Sequence, residues 1–297
     1  MPRTFLYLLS GWLLFSCTAK KSLPQLEHEL RSHFAAQQGT FAVAFKDLTT
    51  GATLFINENE VFHAASTMKV PVMIEVFKQA AEGRWQLTDS LTVINEFTSI
   101  ADGSKYSLSP EDDSEKELYH LVGRKRTVYD LVYDMIIVSS NLATNIVIEY
   151  VDAKKVTQTM RNLGAPTIQV LRGVEDNKAY QLGMNNTTTA YDLMVLFEKL
   201  ATGQAVSEEA SAQMIDILLD QKFNEIIPAH LPKEVKVAHK TGMITGVHHD
   251  SGIVLLPDGR KYVLVLLSKN ITDMEAGTAL LAQVSKMIYD YVTGNNP

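Results

Sequence analysis

A serine and a lysine three residues apart are the first pair in this sequence that could do chemistry. Ser66 and Lys69 stand in a run from His63 to Met73 that leads into an apolar helical stretch ending at Ala81. Residues three apart on a helix lie on one face, so the Lys69 amine can approach the Ser66 hydroxyl. Burial or a neighbouring cation would lower the pKa of this lysine, and its neutral amine could then accept the serine proton.

The position of Ser66 relative to the helix start permits two roles. Pro71 fits only near the first turn, where its missing N–H is not needed, so Ser66 lies at or just before the helix N-terminus. Unpaired backbone N–H groups there can stabilise a developing oxyanion. Alternatively, Ser66 simply caps the helix and Lys69 lies in water. The pair alone leaves both roles open.

Two further segments carry polar side chains at places where the surrounding pattern is apolar. Ser139-Ser140-Asn141 interrupts a helical run, and Lys240-Thr241-Gly242 ends a strand. Neither is specific alone, because Ser-x-Asn recurs at residues 268–270 and Lys-Thr-Gly could be a strand end with a turn. The order and separation of the three segments together indicate one site.

Other catalytic patterns are missing from the sequence or fail on spacing. It contains no G-x-S-x-G nucleophile elbow and no glycine-rich phosphate loop. His28 and His33 are five residues apart, which turns them to different faces of a helix, whereas zinc ligation needs four. The run His248-His249-Asp250 fits a solvated or core-lining role better than a metal site. We therefore expect no metal and no cofactor.

Apolar patterning predicts the helices and strands that must position these residues. Helices are predicted from Leu26 to near Gly39, from Ser66 through Ala81, over Thr127–Val151, and at 153–164, 189–203, 208–220 and 274–291. Strands are predicted at 41–45, 52–56, 235–241, 252–256 and 262–267. The segment 84–126, with its acidic run at 111–115, is predicted to be a solvated excursion. Residues 172–188 form a predicted Ω-type loop, called the Ω loop below, of a length typical of functional loops.

The order of these elements predicts the fold. Two predicted strands lie near the N-terminus and three near the C-terminus, with helices between and after them. We therefore expect one sheet built from both ends of the chain. We predict an α/β (α+β) fold with an antiparallel five-stranded sheet, flanking helices and an inserted all-helical lobe. The sheet lobe would comprise residues 24–65 and 207–297, and the helical lobe residues 66–206.

Composition narrows the class of protein. The chain has 297 residues, of which 46% are hydrophobic and 21% charged, values close to those of soluble globular proteins. Its net charge of -7 argues against nucleic acid as a partner, since phosphate backbones attract basic surfaces. The single cysteine, Cys17, excludes an internal disulfide and thiolate zinc fingers.

The N-terminus has the pattern of an export signal. Arg3 precedes an apolar run from Phe5 to Phe15, shorter than the roughly twenty residues that span a bilayer. A buried core helix is the alternative. Leu14-Phe15-Ser16-Cys17 resembles the lipobox of bacterial lipoproteins, which implies a signal at residues 1–16 and a lipidated tether at 17–23. We expect an exported protein anchored to a membrane at its periplasmic face through Cys17.

The three polar segments resemble the motifs of the class A β-lactamases and the wider group of penicillin-recognising serine hydrolases. That group has S-x-x-K at the start of a core helix, S-[DS]-N in a loop of the helical lobe, and K-[ST]-G on a sheet strand. The match here covers about residues 24–293, within a catalytic domain of 24–297. The resemblance implies a β-lactamase/transpeptidase-like fold. It also implies that Ser66 is the acylated nucleophile, that Lys69 activates it, and that Ser139 passes a proton to the leaving nitrogen.

The resemblance also implies a substrate-binding set. Asn141 would hold the substrate's side-chain amide, and Lys240 and Thr241 would bind its carboxylate. Gly242 continues this strand, and the N–H of Met243 would form the oxyanion hole with that of the nucleophile.

The Ω loop departs from the family pattern. The resemblance implies that Glu175 positions the water that cleaves the acyl-enzyme, yet two residues separate it from Arg172 where the family has one. An aspartate that normally pairs with this arginine is replaced by Asn186, and Ser140 stands where an aspartate is commoner. Glu175 could therefore be only an ion-pair partner of Arg172.

These features give three alternatives for function, all using Ser66. The first is a serine β-lactamase that hydrolyses the β-lactam amide through an acyl-enzyme. The second is a D-Ala-D-Ala peptidase, or another serine amidase or esterase of the same fold. The third is a β-lactam-binding protein that does not hydrolyse its ligand. Each implies a small β-lactam or peptidoglycan-like ligand, and we expect a monomer.

Overall fold

The computed structural model describes residues 21–295. The predicted export signal at residues 1–16 and the lipidation site Cys17 lie outside the described residues, as does most of the predicted tether. Within residues 21–295, no helix is both long enough and apolar enough to cross a membrane.

The main sheet has five antiparallel strands and is built from both ends of the chain, as predicted. Its strands are β1 (Thr40–Asp47), β2 (Thr53–Ile56), β9 (Lys236–Ile244), β10 (Val247–Leu255) and β11 (Lys261–Lys269). Their order is β2-β1-β11-β10-β9, so β9 forms one edge of the sheet. The lysine segment at 240–242 therefore lies on an edge strand, whose outer backbone groups are available to the site.

Short antiparallel strand pairs connect the loops around the helices. These pairs are β3 (Phe62–His63) with β8 (Thr187–Thr188), β4 (Ser90–Thr92) with β7 (Lys125–Thr127), and β5 (Phe97–Thr98) with β6 (Lys105–Tyr106). The first pair joins the segment before Ser66 to the end of the Ω loop.

Helices flank the sheet and fill the region between β3 and β9. They are α1 (Leu23–Ala35), α2 (Lys69–Ala81), α3 (Val128–Ile137), α4 (Asn141–Val151), α5 (Ala153–Asn162), α6 (Asn177–Gln181), α7 (Ala190–Ala201), α8 (Glu208–Leu219) and α9 (Met274–Thr293). The observed α/β class, the antiparallel sheet and the flanking helices confirm the predicted fold.

The sheet separates two hydrophobic cores. On β1, Phe41, Val43 and Phe45 lie in the core shared with α1 and α9, while Ala42 and Ala44 lie in the opposite core with α2, α3, α4 and α7. This split follows from the alternation of side chains along a strand. The second core holds α2 rigidly and so fixes the helix that carries Lys69.

The predicted helical run Thr127–Val151 forms two helices because its polar break is a sharp turn. Thr127 caps α3 by accepting a hydrogen bond from the Asp130 N–H, and Ser140 caps α4 by accepting one from Ala143. Between the helices Ser139 has a φ of +57°, in the left-handed region that non-glycine residues rarely adopt. The strain directs this residue out of the helical path, as is common at functional sites.

Two strands near the site extend beyond their predicted bounds. β9 continues to Ile244, so the segment 240–242 lies within this strand and not at its end. β10 begins at Val247, whereas the sequence predicts a start at 252. The start of this strand is hidden in the sequence because His248, His249 and Asp250 are polar and yet buried.

Candidate active site

Ser66 lies on a short 3₁₀ turn, Ala65–Met68, directly before α2. Ala65 has a φ of +44°, and its N–H donates to His63 Nδ1 at 3.0 Å. Neither the turn nor α2 has a side-chain N-cap, so the capping role that the sequence left open for Ser66 is wrong. Ser66 instead lines two cavities that meet at this turn, one facing the Ω loop and one facing β9.

Lys69 is fully buried, and its amine contacts the turn between α3 and α4. The Nζ atom donates to Ser139 O at 2.7 Å, to Ser139 Oγ at 3.2 Å and to Asn141 Oδ1 at 3.0 Å. Burial lowers the pKa of Lys69 to about 7, although nearby carboxylates oppose the change. A lysine of this kind is partly neutral near neutral pH and can accept a proton from a hydroxyl.

A second buried amine reaches the same hydroxyl from the sheet. Lys240 Nζ donates to Ser139 Oγ at 3.0 Å and to Thr241 O at 2.9 Å. Its pKa lies well below the usual value, first because of burial and then because of the charge of Lys69. Ser139 therefore connects the helix and the sheet strand, and its hydroxyl is placed to relay a proton between them.

Gly242 allows β9 to approach the turn that carries the serine. A Cβ added at Gly242 would lie only 2.9 Å from the Ser66 nitrogen and 3.0 Å from the Thr67 nitrogen. The Thr67 N–H donates to Ala64 O at 3.1 Å, whereas the missing side chain keeps the Ser66 N–H accessible beside the edge strand, as an oxyanion site requires. Met243, the next residue, is 64% exposed and lines both cavities.

Glu175 faces the same cleft from the Ω loop. It lines a cavity of about 270 Å³ with Ser66 and Asn141, and its Oε1 accepts from Asn141 Nδ2 at 3.4 Å. Partial burial raises the pKa of this carboxyl, as does the charge of Asp112, while Lys69 opposes both effects. Like Ala65 and Ser139, Glu175 has a left-handed φ, here +60°. The amide of Asn141 therefore lies between the carboxylate and the Lys69 amine.

Arg172 is not bound to Glu175, so the predicted ion-pair alternative is wrong. Its guanidinium donates to Met184 O, Gly173 O and Asn185 Oδ1. Asn186 binds the loop backbone instead, because its Oδ1 accepts from the N–H groups of Leu171 and Arg172. The Asn185 amide is thus the side-chain partner of the guanidinium, and Glu175 is left available to the cleft.

Comparison with known proteins assigns nearly all of the described residues to one family. A family model described as the β-lactamase enzyme family matches residues 25–292. The chain belongs to the β-lactamase enzyme family. It is a hydrolase of the serine β-lactamase kind.

Relatives of this β-lactamase family member are distant but cover nearly its full length. The extended-spectrum β-lactamase PER-1 of Pseudomonas aeruginosa is 23% identical over 90% of this chain and 87% of its own. A β-lactamase of Bacteroides uniformis is 23% identical over 96% of this chain and 98% of its own. The fold matches a crystal structure of a β-lactamase from Sphaerobacter thermophilus with a TM-score of 0.79, 26% identity and coverage of 93% and 100%. A mutant of PBP-A, in an acyl-enzyme complex with penicillin-G, matches with a TM-score of 0.78, 28% identity and coverage of 93% and 98%.

Asn145 and Asp176 hold the Ω loop of this family member, and sequence reasoning missed both. Asn145 on α4 accepts from the Val174 N–H at 2.6 Å and donates to Val174 O at 3.0 Å. Asp176 accepts from Ser99 Oγ at 2.7 Å and from the Ile100 N–H at 2.9 Å. Both side chains are buried, and both sets of bonds are long-range, so no local pattern could have indicated them.

The acidic run at 111–115 is not simply a solvated excursion, which corrects the prediction. Asp113 is buried, and Asp112 lines the cavity that contains Ser66 and Ser139. A run of like charges normally stays in water, but here one member is compensated by hydrogen bonds from the α4 terminus.

The histidines of β10 have the core-lining role that the sequence favoured. His248 Nδ1 contacts Thr278 Oγ1 at 2.7 Å, and His249 is fully buried with Nε2 at 2.9 Å from His63 O. Over residues 21–295, no group of three or more histidine, cysteine or acidic side chains is arranged to hold a metal ion.

Proposed function

We propose that this protein hydrolyses β-lactams through an acyl-enzyme on Ser66. The observation that carries the proposal is the meeting of the two buried amines, Lys69 and Lys240, on the hydroxyl of Ser139, which lines a cavity together with Ser66. Three segments far apart in sequence converge there, and their donors and acceptors match the proton transfers that amide cleavage needs.

Acylation follows from these contacts. The neutral Lys69 amine accepts the Ser66 proton while the serine oxygen attacks the lactam carbonyl. The N–H groups of Ser66 and Met243 would bind the resulting oxyanion. As the C–N bond breaks, Ser139 donates its proton to the departing nitrogen and takes one from a lysine amine. Lys240 and Thr241 would bind the substrate carboxylate.

Deacylation would use Glu175 as the general base. Its carboxylate takes a proton from a water molecule whose oxygen attacks the ester carbonyl, and the Ser66 oxygen leaves and is reprotonated. The position of Glu175 on the cleft that Ser66 lines, with no bond to Arg172, supports this role.

The amide partners of Arg172 favour a second candidate, a D-Ala-D-Ala peptidase or a protein that retains its β-lactam. Since Asn186 stands where the family has an aspartate, and the guanidinium of Arg172 bonds to the neutral Asn185 amide, the Ω loop lacks an ion pair at Arg172 that would hold it beside Glu175. Similarity to PBP-A, of which a mutant was captured with penicillin-G as an acyl-enzyme, is consistent with slow release.

Intact-mass analysis of the protein lacking residues 1–17, mixed with a chromogenic cephalosporin, separates these functions. We expect turnover, with a transient adduct on Ser66 that Ser66→Ala abolishes. A persistent adduct without turnover would favour the second candidate. Absence of both turnover and any adduct would exclude β-lactams as ligands.

Glu175→Gln tests the hydrolytic base, and Glu225→Gln is its matched control because Glu225 lines the cavity on the other side of Ser66. We expect acyl-enzyme to accumulate only in Glu175→Gln, with deacylation slowed about 100-fold or more. Equal turnover in the two variants would contradict the assignment.

A further inference from the structure

Asp113 makes a concentrated set of hydrogen bonds to the segment that holds Lys69. Its Oδ2 atom accepts from the N–H of Asn141 at 3.0 Å and from that of Leu142 at 2.8 Å. The same atom accepts from Ser140 Oγ at 3.4 Å and from the Tyr119 hydroxyl at 3.0 Å. Hydrogen bonds to a buried carboxylate are stronger than those between neutral groups.

These bonds fix the residues whose oxygen atoms bind the Lys69 amine. Ser139 O and Asn141 Oδ1 both accept from Lys69 Nζ, and Asn141 N–H is itself held by Asp113. Ser139 is backbone-strained, and a strained turn persists only where the surrounding contacts hold it. The Asp113 carboxylate supplies such contacts immediately after the turn.

Several charges face the Lys69 amine. Asp113 comes from the segment after the 3₁₀ turn at 110–112, Glu175 from the Ω loop, and Lys240 from β9 with Asp250 behind it. Of the two carboxylates, Asp113 is buried and Glu175 is only partly covered, so the influence of Asp113 is less screened by water.

We propose that Asp113 is a positioning residue for acylation: its carboxylate fixes the Ser139–Leu142 segment against Lys69 and supplies the buried negative charge of the site. Its role is expressed through the lysine, and it does not contact the substrate. This inference rests on the proposed acylation of Ser66.

Two substitutions separate the hydrogen bonds of Asp113 from its charge. Asp113→Asn retains an oxygen that can accept from residues 141 and 142 but removes the charge, whereas Asp113→Ala removes both. Asp112→Asn is the matched control, because it makes the same change in net charge at a neighbouring exposed carboxylate that lines the cleft.

Acylation by a chromogenic cephalosporin is measured between pH 5 and 9 by rapid quench and intact mass. Because the charge of Asp113 raises the pKa of Lys69, removing it shifts the acid limb of acylation to lower pH in Asp113→Asn. We expect the plateau to fall about 3- to 10-fold in Asp113→Asn and about 100-fold in Asp113→Ala, as misplacement of a reacting group does. In Asp112→Asn, the acid limb of the acylation rate should stay at the same pH as in the unmodified protein.

An unmoved acid limb in a folded Asp113→Asn protein would overturn the proposal, whether or not the plateau fell, because a purely structural cap changes the rate without moving the limb. A shift of equal size in Asp112→Asn would also overturn it.

Hydrogen exchange separates failure of this inference from failure of the proposed function. Faster exchange of the peptide 139–145 in Asp113→Ala than in Asp112→Asn supports the anchoring without any β-lactam, and equal exchange contradicts it. An unmodified protein that neither turns over the cephalosporin nor forms an adduct would instead refute the proposed function.

Discussion

Replacing Lys69 by methionine should change the pH dependence of stability as well as abolish acylation. Burial lowers the pKa of this amine to about 7 from its usual 10.5, so the unfolded chain binds a proton that the folded protein holds only in part. Stability therefore rises as pH increases from about 7 to about 10.5. One pKa unit is worth about 1.4 kcal/mol, so at pH 7 the buried amine lowers the free energy of unfolding by about 4 to 5 kcal/mol.

Methionine removes this pH-dependent effect but leaves Ser139 O and Asn141 Oδ1 without their donor. Each lost partner costs about 1 to 3 kcal/mol, a cost that does not vary with pH. The two effects nearly cancel at pH 7, and the slope with pH becomes the decisive quantity. Between pH 7.5 and 9.5, the unmodified protein should gain about 1.4 kcal/mol per pH unit relative to Lys69→Met. Lys69 also lowers the pKa of Lys240, so this pKa should be higher in Lys69→Met. The rise of stability with pH in Lys69→Met is therefore smaller still, which adds to the difference from the unmodified protein.

Urea unfolding at pH 7, 8 and 9 measures this difference. Lys155→Met, at an exposed position on α5, is the control and should give a difference that does not vary with pH. In the unmodified protein, acylation should rise with pH through about 7. A stability difference between the unmodified protein and Lys69→Met that stays constant within about 0.5 kcal/mol would mean that Lys69 is charged in the fold, and the role of its neutral amine as a base would be refuted.

Three further substitutions test other parts of the site and the predicted anchor. Gly242→Ala adds a Cβ 2.9 Å from the Ser66 nitrogen, so the backbone of the turn must shift and rapid-quench acylation should fall about 100-fold or more. Gly173→Ala would overlap the Asn145 side chain that holds the Ω loop, so single-turnover assays should show slower deacylation with acylation less affected. Cys17→Ala should release the full-length protein from membranes, and unchanged fractionation would count against the lipid anchor.

The sequence predicts the elements of the site better than it predicts what orients them. Ser66 and Lys69 are one helical turn apart, so their spacing alone indicates that they can interact. The Ser139 segment is visible as a polar break in a helical pattern, and the lysine segment as a polar strand end. The five main strands follow from apolar patterning, which is why the fold class could be predicted.

Tertiary structure alone decided which polar residues act on this machinery. Asp113, Asn145 and Asp176 also bond to partners 28 to 77 residues away, and their local sequence does not indicate these long-range contacts. Asp113 in particular lies within an acidic run whose charge predicts exposure.

Sequence therefore determined the proposed nucleophile, its neighbouring lysine and the strand that faces them, because these depend on periodicity and on spacing within single elements. The depressed pKa of Lys69, the shared hydroxyl of Ser139 and the freedom of Glu175 from Arg172 arose only on folding. They depend on burial and on distances between segments remote in the chain, and such quantities exist only once the two cores have packed.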